Sequence, residues 1–257
     1  MIRAEALEFR YGNKPPIFQD FHWYAARGQA WAVIGASGCG KSTLLYLLAG
    51  LLKPTAGSVM VGGQPLAGPR PRTGLILQDY GLLPWATIRE NVRLGLRIRR
   101  FYGPDGIHAP AEGLPAGAEE QVEAWLEKLG ISSVANSYPG QVSGGQRQRT
   151  AIARTLVLEP DLLLMDEPFA SLDLPTREGL QALVYELQQE RDLTMVVVTH
   201  SIEEAAFLGE KIMILQNGVN SAPEVLENPF VAQKNSGVDP AYQQMCDHIR
   251  AELKETV

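Results

Sequence analysis

Trp31-Ala32-Val33-Ile34-Gly35-Ala36-Ser37-Gly38-Cys39-Gly40-Lys41-Ser42-Thr43 runs from an apolar strand, through a glycine-rich turn, into a helix. Residues 35–42 fit the spacing G-x-x-x-x-G-K-[ST], and strand before and helix after is the context that its chemistry needs. Glycines let successive backbone N–H groups turn inward around phosphate oxygens, and the helix N-terminus adds positive potential. Lys41 is placed to neutralise the β- and γ-phosphates and Ser42 to ligate Mg²⁺. Gly35, Ser37, Gly38, Cys39, Gly40 and Thr43 complete the expected phosphate-binding set.

Working outward, further short unbroken apolar runs read as strands covered on both faces. They are Ala4–Phe9, Ser58–Val61, Gly74–Leu77, Leu162–Met165, Thr194–Val198 and Lys211–Leu215, beside Ala30–Ile34. Helices alternate with them: Lys41–Leu51 after the glycine turn, and Thr176–Glu190 after Pro175, with Leu180, Leu183, Val184 and Leu187 on one face. That alternation predicts an α/β core on a mostly parallel sheet. The run Leu162–Met165 ends in Asp166 and Glu167. A solvated strand end is the plainer reading of two such carboxylates. Beside a phosphate loop, however, Asp166 is placed for the Mg²⁺ shell and Glu167 to orient and deprotonate a water.

From about Tyr80 to Gly140 no strand is legible. Thr87 with Glu90 gives a capping-box signature before a basic helix ending near Arg100. A second helix carries Val122, Trp125, Leu126 and Leu129, with Gly130 as its C-terminal cap. Between them, 101–117 is rich in Gly and Pro and reads as a mobile surface loop. The expected division is therefore a nucleotide-binding core over 1–79 and 141–218, a helical subdomain over 80–140, and a tail over 219–257. The tail predicts one helix started by Asp239 and Pro240, with Tyr242, Met245, Ile249 and Leu253 inward.

Val142-Ser143-Gly144-Gly145-Gln146-Arg147-Gln148-Arg149 stands between the phosphate loop and the acidic strand. With it the sequence resembles the ABC ATPase family, whose signature is this Ser-Gly-Gly-Gln tetrapeptide opening a helix. The resemblance covers Ile2 to about Gly218. It implies a P-loop NTPase core with a mostly parallel sheet, an antiparallel N-terminal β subdomain and an inserted α-helical subdomain. It also implies roles. Tyr11 would stack on adenine, and Gln78, in the family's Q-loop position, would join the Mg²⁺ shell and the catalytic set. Ser143, Gly144, Gly145 and Gln146 would face the γ-phosphate bound to a second subunit. Asp173 would lie in the D-loop Ser171-Leu172-Asp173, and His200 would fix the water beside Glu167. Taken singly, each has a plainer reading: Ser143 as an N-cap, Gln78 as a surface amide, Tyr11 as half-buried packing and His200 as the cap of a turn. Val142 departs from the leucine that many relatives carry, which predicts only a small packing change.

The partners implied by the resemblance are a second copy of the chain in an ATP sandwich, an integral membrane permease and, indirectly, a substrate-binding protein. The expected location is the cytoplasmic face of the inner membrane, reached through the permease. Gln78-Asp79-Tyr80-Gly81-Leu82-Leu83-Pro84-Trp85-Ala86-Thr87 with Asn91-Val92 looks like the nitrate, sulfonate and taurine importers, and importers of pyrimidine precursors are similar. Leu82–Trp85 reads either as the surface that docks the permease or, for Trp85, as packing against the following helix. The competing reading is a soluble, non-transport ABC ATPase; this chain carries one such domain and no heptad run for a long coiled coil.

Composition sets the outer bounds. The chain has 257 residues, 45% apolar and 20% charged, with a net charge of −6. That balance argues against a nucleic-acid partner. No apolar stretch approaches the roughly 20 residues of a membrane span, and Arg3, Glu5 and Glu8 interrupt any leader-like run. Cys39 and Cys246 form neither a disulfide framework nor a metal motif, which suits a reducing setting. Cys39, at a helix N-terminus, also admits a reactive-thiol reading.

Overall fold

The computed structural model describes residues 1–102, 116–233 and 239–254. Among the described residues, ten strands form two sheets. The first is antiparallel, in the order β2-β1-β4-β5, from β1 (Ile2–Phe9), β2 (Phe18–Ala25), β4 (Ala56–Val61) and β5 (Gln64–Pro65). The second has the order β10-β9-β3-β8-β7-β6. It contains β3 (Ala30–Gly35), β6 (Thr73–Ile76), β7 (Leu162–Asp166), β8 (Thr194–Thr199) and β9 (Lys211–Leu215), all parallel, with β10 (Glu224–Glu227) antiparallel at one edge.

Every residue of β3, β7 and β8 is buried, because both faces of this sheet are covered. The two-residue period sorts their side chains. Leu162, Leu164, Val196 and Val198 join the core shared with the antiparallel sheet and α1 (Lys41–Leu48). Leu163, Met165, Met195 and Val197 join the opposite core. There they meet α4 (Gly144–Leu156) and α5 (Leu174–Glu190), and beyond these α2 (Ile88–Tyr102) and α3 (Ala118–Lys128). Ala32 and Ile34 of β3 pack instead on α6 (Ile202–Leu208) and α7 (Pro240–Lys254).

The element ends follow local chemistry. The Thr87–Glu90 box forms as expected: Glu90 Oε2 accepts from Thr87 N at 2.7 Å, and Thr87 Oγ1 accepts from Glu90 N at 3.2 Å. Helix α1 stops at Leu48 rather than Leu51. Gly50 adopts φ +73°, and a Cβ there would sit 2.3 Å from the Gly68 carbonyl oxygen, so only glycine fits the turn. On α7, Ile249 is fully buried, and Tyr242, Met245 and Leu253 pack around it as the spacing predicts; Cys246 is buried with them. The stretch 101–117 begins as the last residues of α2 and ends in the turn before α3, and the remainder lies outside the described residues.

Among the described strands and α-helices, β2, β5, β10 and α6 are absent from the sequence reading, as are two short 3-10 helices, Ser132–Val134 and Pro139–Gln141. Strand β2 alternates apolar and polar residues only imperfectly, because Asp20 takes φ +50° and the register against β1 shifts twice. Edge strand β10 is a four-residue run, Glu224–Glu227, with glutamates at both ends. Helix α6 has seven residues, too few to show a helical period.

Candidate functional site

The parallel strands deliver four chain segments to one edge of the sheet, as an open parallel α/β sheet does at its carboxyl end. β3 runs directly into the phosphate loop, and β7 ends at Asp166 and Glu167. β8 ends one residue before His200. β6 pairs Ile76 with Met165 of β7, and Gln78 follows two residues later, exposed.

The phosphate loop is shaped by close packing. A Cβ on Gly35 would meet Cys39 Sγ and the Leu215 carbonyl oxygen, each at 2.5 Å. Gly40 has φ +110°, and a Cβ there would meet Ile17 at 2.4 Å. Ser37 and Gly38 are exposed at the tip, whereas Cys39 is buried behind it. Asn220 holds the rear of the loop, its amide donating to the Cys39 carbonyl at 3.1 Å. Lys41 is only 7% exposed, and its Nζ donates to the carbonyls of Gly35 (2.8 Å) and Ala36 (2.9 Å). The ammonium is thus folded across the loop that precedes it. Burial pushes the Cys39 thiol up, outweighing the nearby Lys41 charge and the hydrogen bond from its backbone. The reactive-thiol reading therefore fails: the group is both covered and held protonated.

Two hydrogen bonds are made by the adjacent carboxylates at the end of β7, the first with Ser42. Its Oγ donates to Asp166 Oδ1 at 3.1 Å. Burial raises the Asp166 pKa; the Ser42 bond opposes the shift, Glu167 adds to it and Lys41 lowers it. Glu167 sits at φ +45°, an uncommon backbone state for a residue with a side chain, and its N–H donates to the Val198 carbonyl at 2.9 Å. Its Oε2 lies 3.2 Å from His200 Nδ1. Ser42 with Asp166 and His200 with Glu167 are thus two hydrogen-bonded pairs brought side by side because their carboxylates are chain neighbours.

Tyr11 stands at the side of the loop, 43% exposed. Its Oη is hydrogen-bonded with Thr43 Oγ1 at 3.2 Å, and its ring meets Phe9 edge-on with centroids 4.9 Å apart. A half-open aromatic ring is thus tied to α1 by its hydroxyl and braced by Phe9 of β1.

The Ser143–Gln146 segment lies apart from those pairs. Ser143 is the N-cap of α4: its Oγ accepts from Gln146 N at 3.2 Å, while Gln146 Oε1 accepts from Ser143 N at 2.9 Å. A Cβ on Gly145 would lie 2.6 Å from Thr176 Cγ2, and one on Gly144 3.3 Å from Leu172. The signature glycines therefore pack on the Ser171–Asp173 loop and the start of α5. Asp173 caps that helix, accepting from Thr176 N at 3.3 Å, and the Thr176 contacts lower its pKa. Among the described residues, none of these contacts reaches the phosphate loop of the same chain.

Several supporting residues escape sequence reasoning. Arg154 on α4 donates to the carbonyls of Tyr80 and Gly81, both at 2.6 Å, and Tyr80 Oη bonds Ser171 Oγ at 2.6 Å. The Gln78 loop is thereby fastened to α4 and to the Ser171–Asp173 loop. Asn91, fully buried, accepts from Leu83 N and donates to the carbonyls of Leu83, Ala86 and Thr87. This pins the turn on which Trp85 stands 74% exposed, so the packed alternative for Trp85 is excluded. Glu204 on α6 is buried, four residues after His200. Burial pushes its carboxyl up to about 7, against Arg177 and a hydrogen bond from Thr199, with the charge of Glu167 adding to the rise. The only available signal was an acidic residue at the third position of a capped helix, and that spacing also suits an ordinary capping box.

Comparison with known proteins adds family context. A family model described as ABC transporter matches residues 18–170, more than half of the chain. Over 204 residues the chain is 39% identical to the taurine import ATP-binding protein TauB of Pelagibacter ubique, spanning 79% of this chain and 72% of that protein. It is 37% identical over 232 residues to the nitrate import ATP-binding protein NrtD of Synechococcus elongatus, spanning 88% and 81%. The aliphatic sulfonates import ATP-binding protein SsuB 2 of Burkholderia cenocepacia is 42% identical over 205 residues, spanning 80% and 70%. Among solved structures, the dimeric post-hydrolysis ATP-binding cassette MJ0796 bound to ADP and Pi superposes with a TM-score of 0.74 at 30% identity, covering 89% of this chain and all of that one. CbiO1 from Clostridium perfringens, part of the ABC transporter complex cbiONQ, gives 0.76 at 25% identity, covering 99% and 96%.

Proposed function

The chain belongs to the ABC transporter family as an ATP-binding, ATP-hydrolysing subunit, and from that premise we propose that it energises import of a small solute through a separate permease. The observation that carries the reading is a pair of hydrogen bonds beside the phosphate loop, Ser42 to Asp166 and His200 with Glu167, made by two adjacent carboxylates at the end of β7. The import direction, and a solute of the taurine, nitrate or sulfonate type, rest on what the three relatives are named for.

In this reading adenine stacks on Tyr11, and the phosphates enter the loop Gly35–Ser42 with Thr43. Lys41 Nζ turns from the Gly35 and Ala36 carbonyls to the incoming phosphate oxygens, exchanging neutral acceptors for charged ones. Ser42, Asp166 and Gln78 would hold Mg²⁺. The donor set fits: a hydroxyl and a buried carboxylate already share a hydrogen bond, and an ionised carboxylate at that depth gains from a cation. When bound, Mg²⁺ would supply neutralisation of phosphate charge. Glu167 takes a proton from the attacking water, and His200, 3.2 Å from it, orients the pair.

A second copy would supply Ser143, Gly144, Gly145 and Gln146, completing the site only when two chains close on ATP; Asp173 would sit at that junction. Leu82–Trp85 would meet the permease, because an exposed tryptophan on a pinned turn suits an interface anchor. Through the permease the subunit would lie on the cytoplasmic face of the inner membrane, with a substrate-binding protein delivering solute from the other side. Among the described residues no helix is long and apolar enough to cross a membrane.

Glu167→Gln tests the assignment. The variant should bind ATP, form an ATP-dependent dimer by light scattering, and hydrolyse at least ~10²-fold slower than the parent. Near-parental turnover would remove Glu167 from the reaction.

A further inference from the structure

Ser201-Ile202-Glu203-Glu204 has the spacing in which a glutamate at the third helical position reaches back to cap its own helix. Half of that box is present: Ser201 Oγ accepts from Glu204 N at 3.2 Å. The returning bond is not made by Glu204. Ser201 N donates instead to Thr199 Oγ1 at 3.0 Å, and Ser201 Oγ donates to Glu203 Oε2 at 3.1 Å. Glu204 turns inward and is 4% exposed. The Thr199 hydroxyl bonds its carboxylate, while Oε1 is buried with no hydrogen-bond partner.

The facing helix holds the matching defect. Arg177 on α5 donates from Nη2 to the Leu172 carbonyl at 2.9 Å, inside the Ser171–Asp173 loop, while its Nε is buried and unpaired. The guanidinium acts electrostatically on Glu204, and Glu167 acts on it with the opposite sign. Among the described residues the two side chains make no ion pair within 4.0 Å. A carboxylate oxygen and a guanidinium N–H, each out of water and each unmatched, are costly to keep, since leaving such a group unsatisfied costs about 1–3 kcal/mol or more. Stability alone gives no reason to retain them, because an apolar or amide replacement would relieve both.

We propose that Glu204 is a positioning residue for ATP hydrolysis, tying the turn that carries His200 to the Ser171–Asp173 loop through Arg177. The inference rests on the placement of Glu167 and His200 in the reaction given above. His200 belongs to the attacking end of the site, and Leu172 packs on the signature glycine Gly144. Attraction between the Glu204 carboxylate and the Arg177 guanidinium, which make no direct ion pair, therefore couples the water-orienting turn to the surface that would meet the second chain. The charged form of Glu204 attracts Arg177 and supports the link; the protonated form does not. Three groups face Glu204 from neighbouring elements: Arg177 on α5, Thr199 at the end of β8, and Glu167 after β7.

The test is steady-state ATP turnover by the full chain with Mg²⁺-ATP, for the parent, Glu204→Gln, Arg177→Met and the double variant, from about pH 5.5 to 8.5. At alkaline pH, Glu204→Gln should lower kcat about tenfold, the scale of a modest misplacement, with KM within about twofold. The ratio of parental to variant kcat should fall towards one as pH drops below about 7, because glutamine mimics the protonated acid and other titrations cancel in the ratio. Arg177→Met should show the same loss at alkaline pH, and the double variant no further loss. A parental kcat for Glu204→Gln, or a ratio independent of pH, would overturn the proposal. If Glu204→Gln does not fold, Arg177→Met decides: loss of kcat with KM kept supports the link, and parental kcat overturns it. Glu167→Gln runs alongside. Should it turn over normally, the site assignment has failed; should it be inactive while Glu204→Gln is normal, only the present inference has.

Discussion

Glu204→Gln should stabilise the folded chain at alkaline pH and progressively less so in acid. The carboxyl ionises near 4.5 in the unfolded chain and near about 7 in the fold, where burial disfavours the charge. Between those values the folded state holds a proton that the unfolded chain has released. Stability from this group is therefore fully present below about pH 4.5 and is lost as pH rises through 7. A shift of this size, multiplied by 1.36 kcal/mol per unit, amounts to about 3 kcal/mol once the side chain is ionised in both states. Glutamine has the same shape, can keep the Thr199 hydrogen bond and never ionises. The difference in unfolding free energy between variant and parent should thus widen by about 2 kcal/mol between pH 5.5 and 8.5. Urea unfolding of both proteins at four or five pH values measures this directly, provided the slope with denaturant stays equal. A difference that does not change with pH would show that Glu204 ionises as freely in the fold as outside it, and would refute the reasoning. Combined with the expected loss of kcat, a gain in stability would mark a residue kept for function rather than for folding.

Trp85→Ala should leave folding and ATP binding unchanged, since the ring is 74% exposed, while weakening co-purification with the permease and lowering transport; unchanged assembly and transport would remove Trp85 from the coupling surface. Tyr11→Ala should raise the ATP dissociation constant about tenfold, as the loss of a stacked base at about 1–3 kcal/mol requires. Tyr11→Phe, which loses only the Thr43 hydrogen bond, should bind nearly as the parent does; equal affinities for all three proteins would mean that another residue holds the base.

The sequence discloses those parts of the molecule whose physics is local. The glycine-rich turn between apolar strand and helix, the buried runs of β7 and β8, and the Thr87–Glu90 box each depend on neighbours a few residues away. β2 is hidden because its bulge at Asp20 breaks the alternation that would announce it. The residues that would touch phosphate and metal are legible as motifs, since their chemistry fixes residue type and spacing together. The residues that hold those motifs in place are not. Arg154 reaches back 73 residues to the Gly81 carbonyl, and Asn220 reaches 181 residues to the carbonyl of Cys39. A single polar side chain whose partner is a distant backbone carbonyl leaves no period or pattern in the sequence. Glu204 is hidden for a sharper reason: its spacing matches a cap that its carboxylate does not make.

The central claim is that one ATP is held by the phosphate loop of one chain and the Ser143–Gln146 segment of another. It is tested most directly by mixing two inactive variants, Lys41→Ala and Ser143→Arg. Within a mixed dimer both lesions fall in one composite site, and the other site keeps an intact phosphate loop facing an intact signature. Each variant alone should be inactive, and an equal mixture should recover ATP hydrolysis to at most about a quarter of the parental rate, since random pairing makes half the dimers mixed with one good site each. If mixed dimers are shown to form and the mixture stays inactive, the shared site is contradicted.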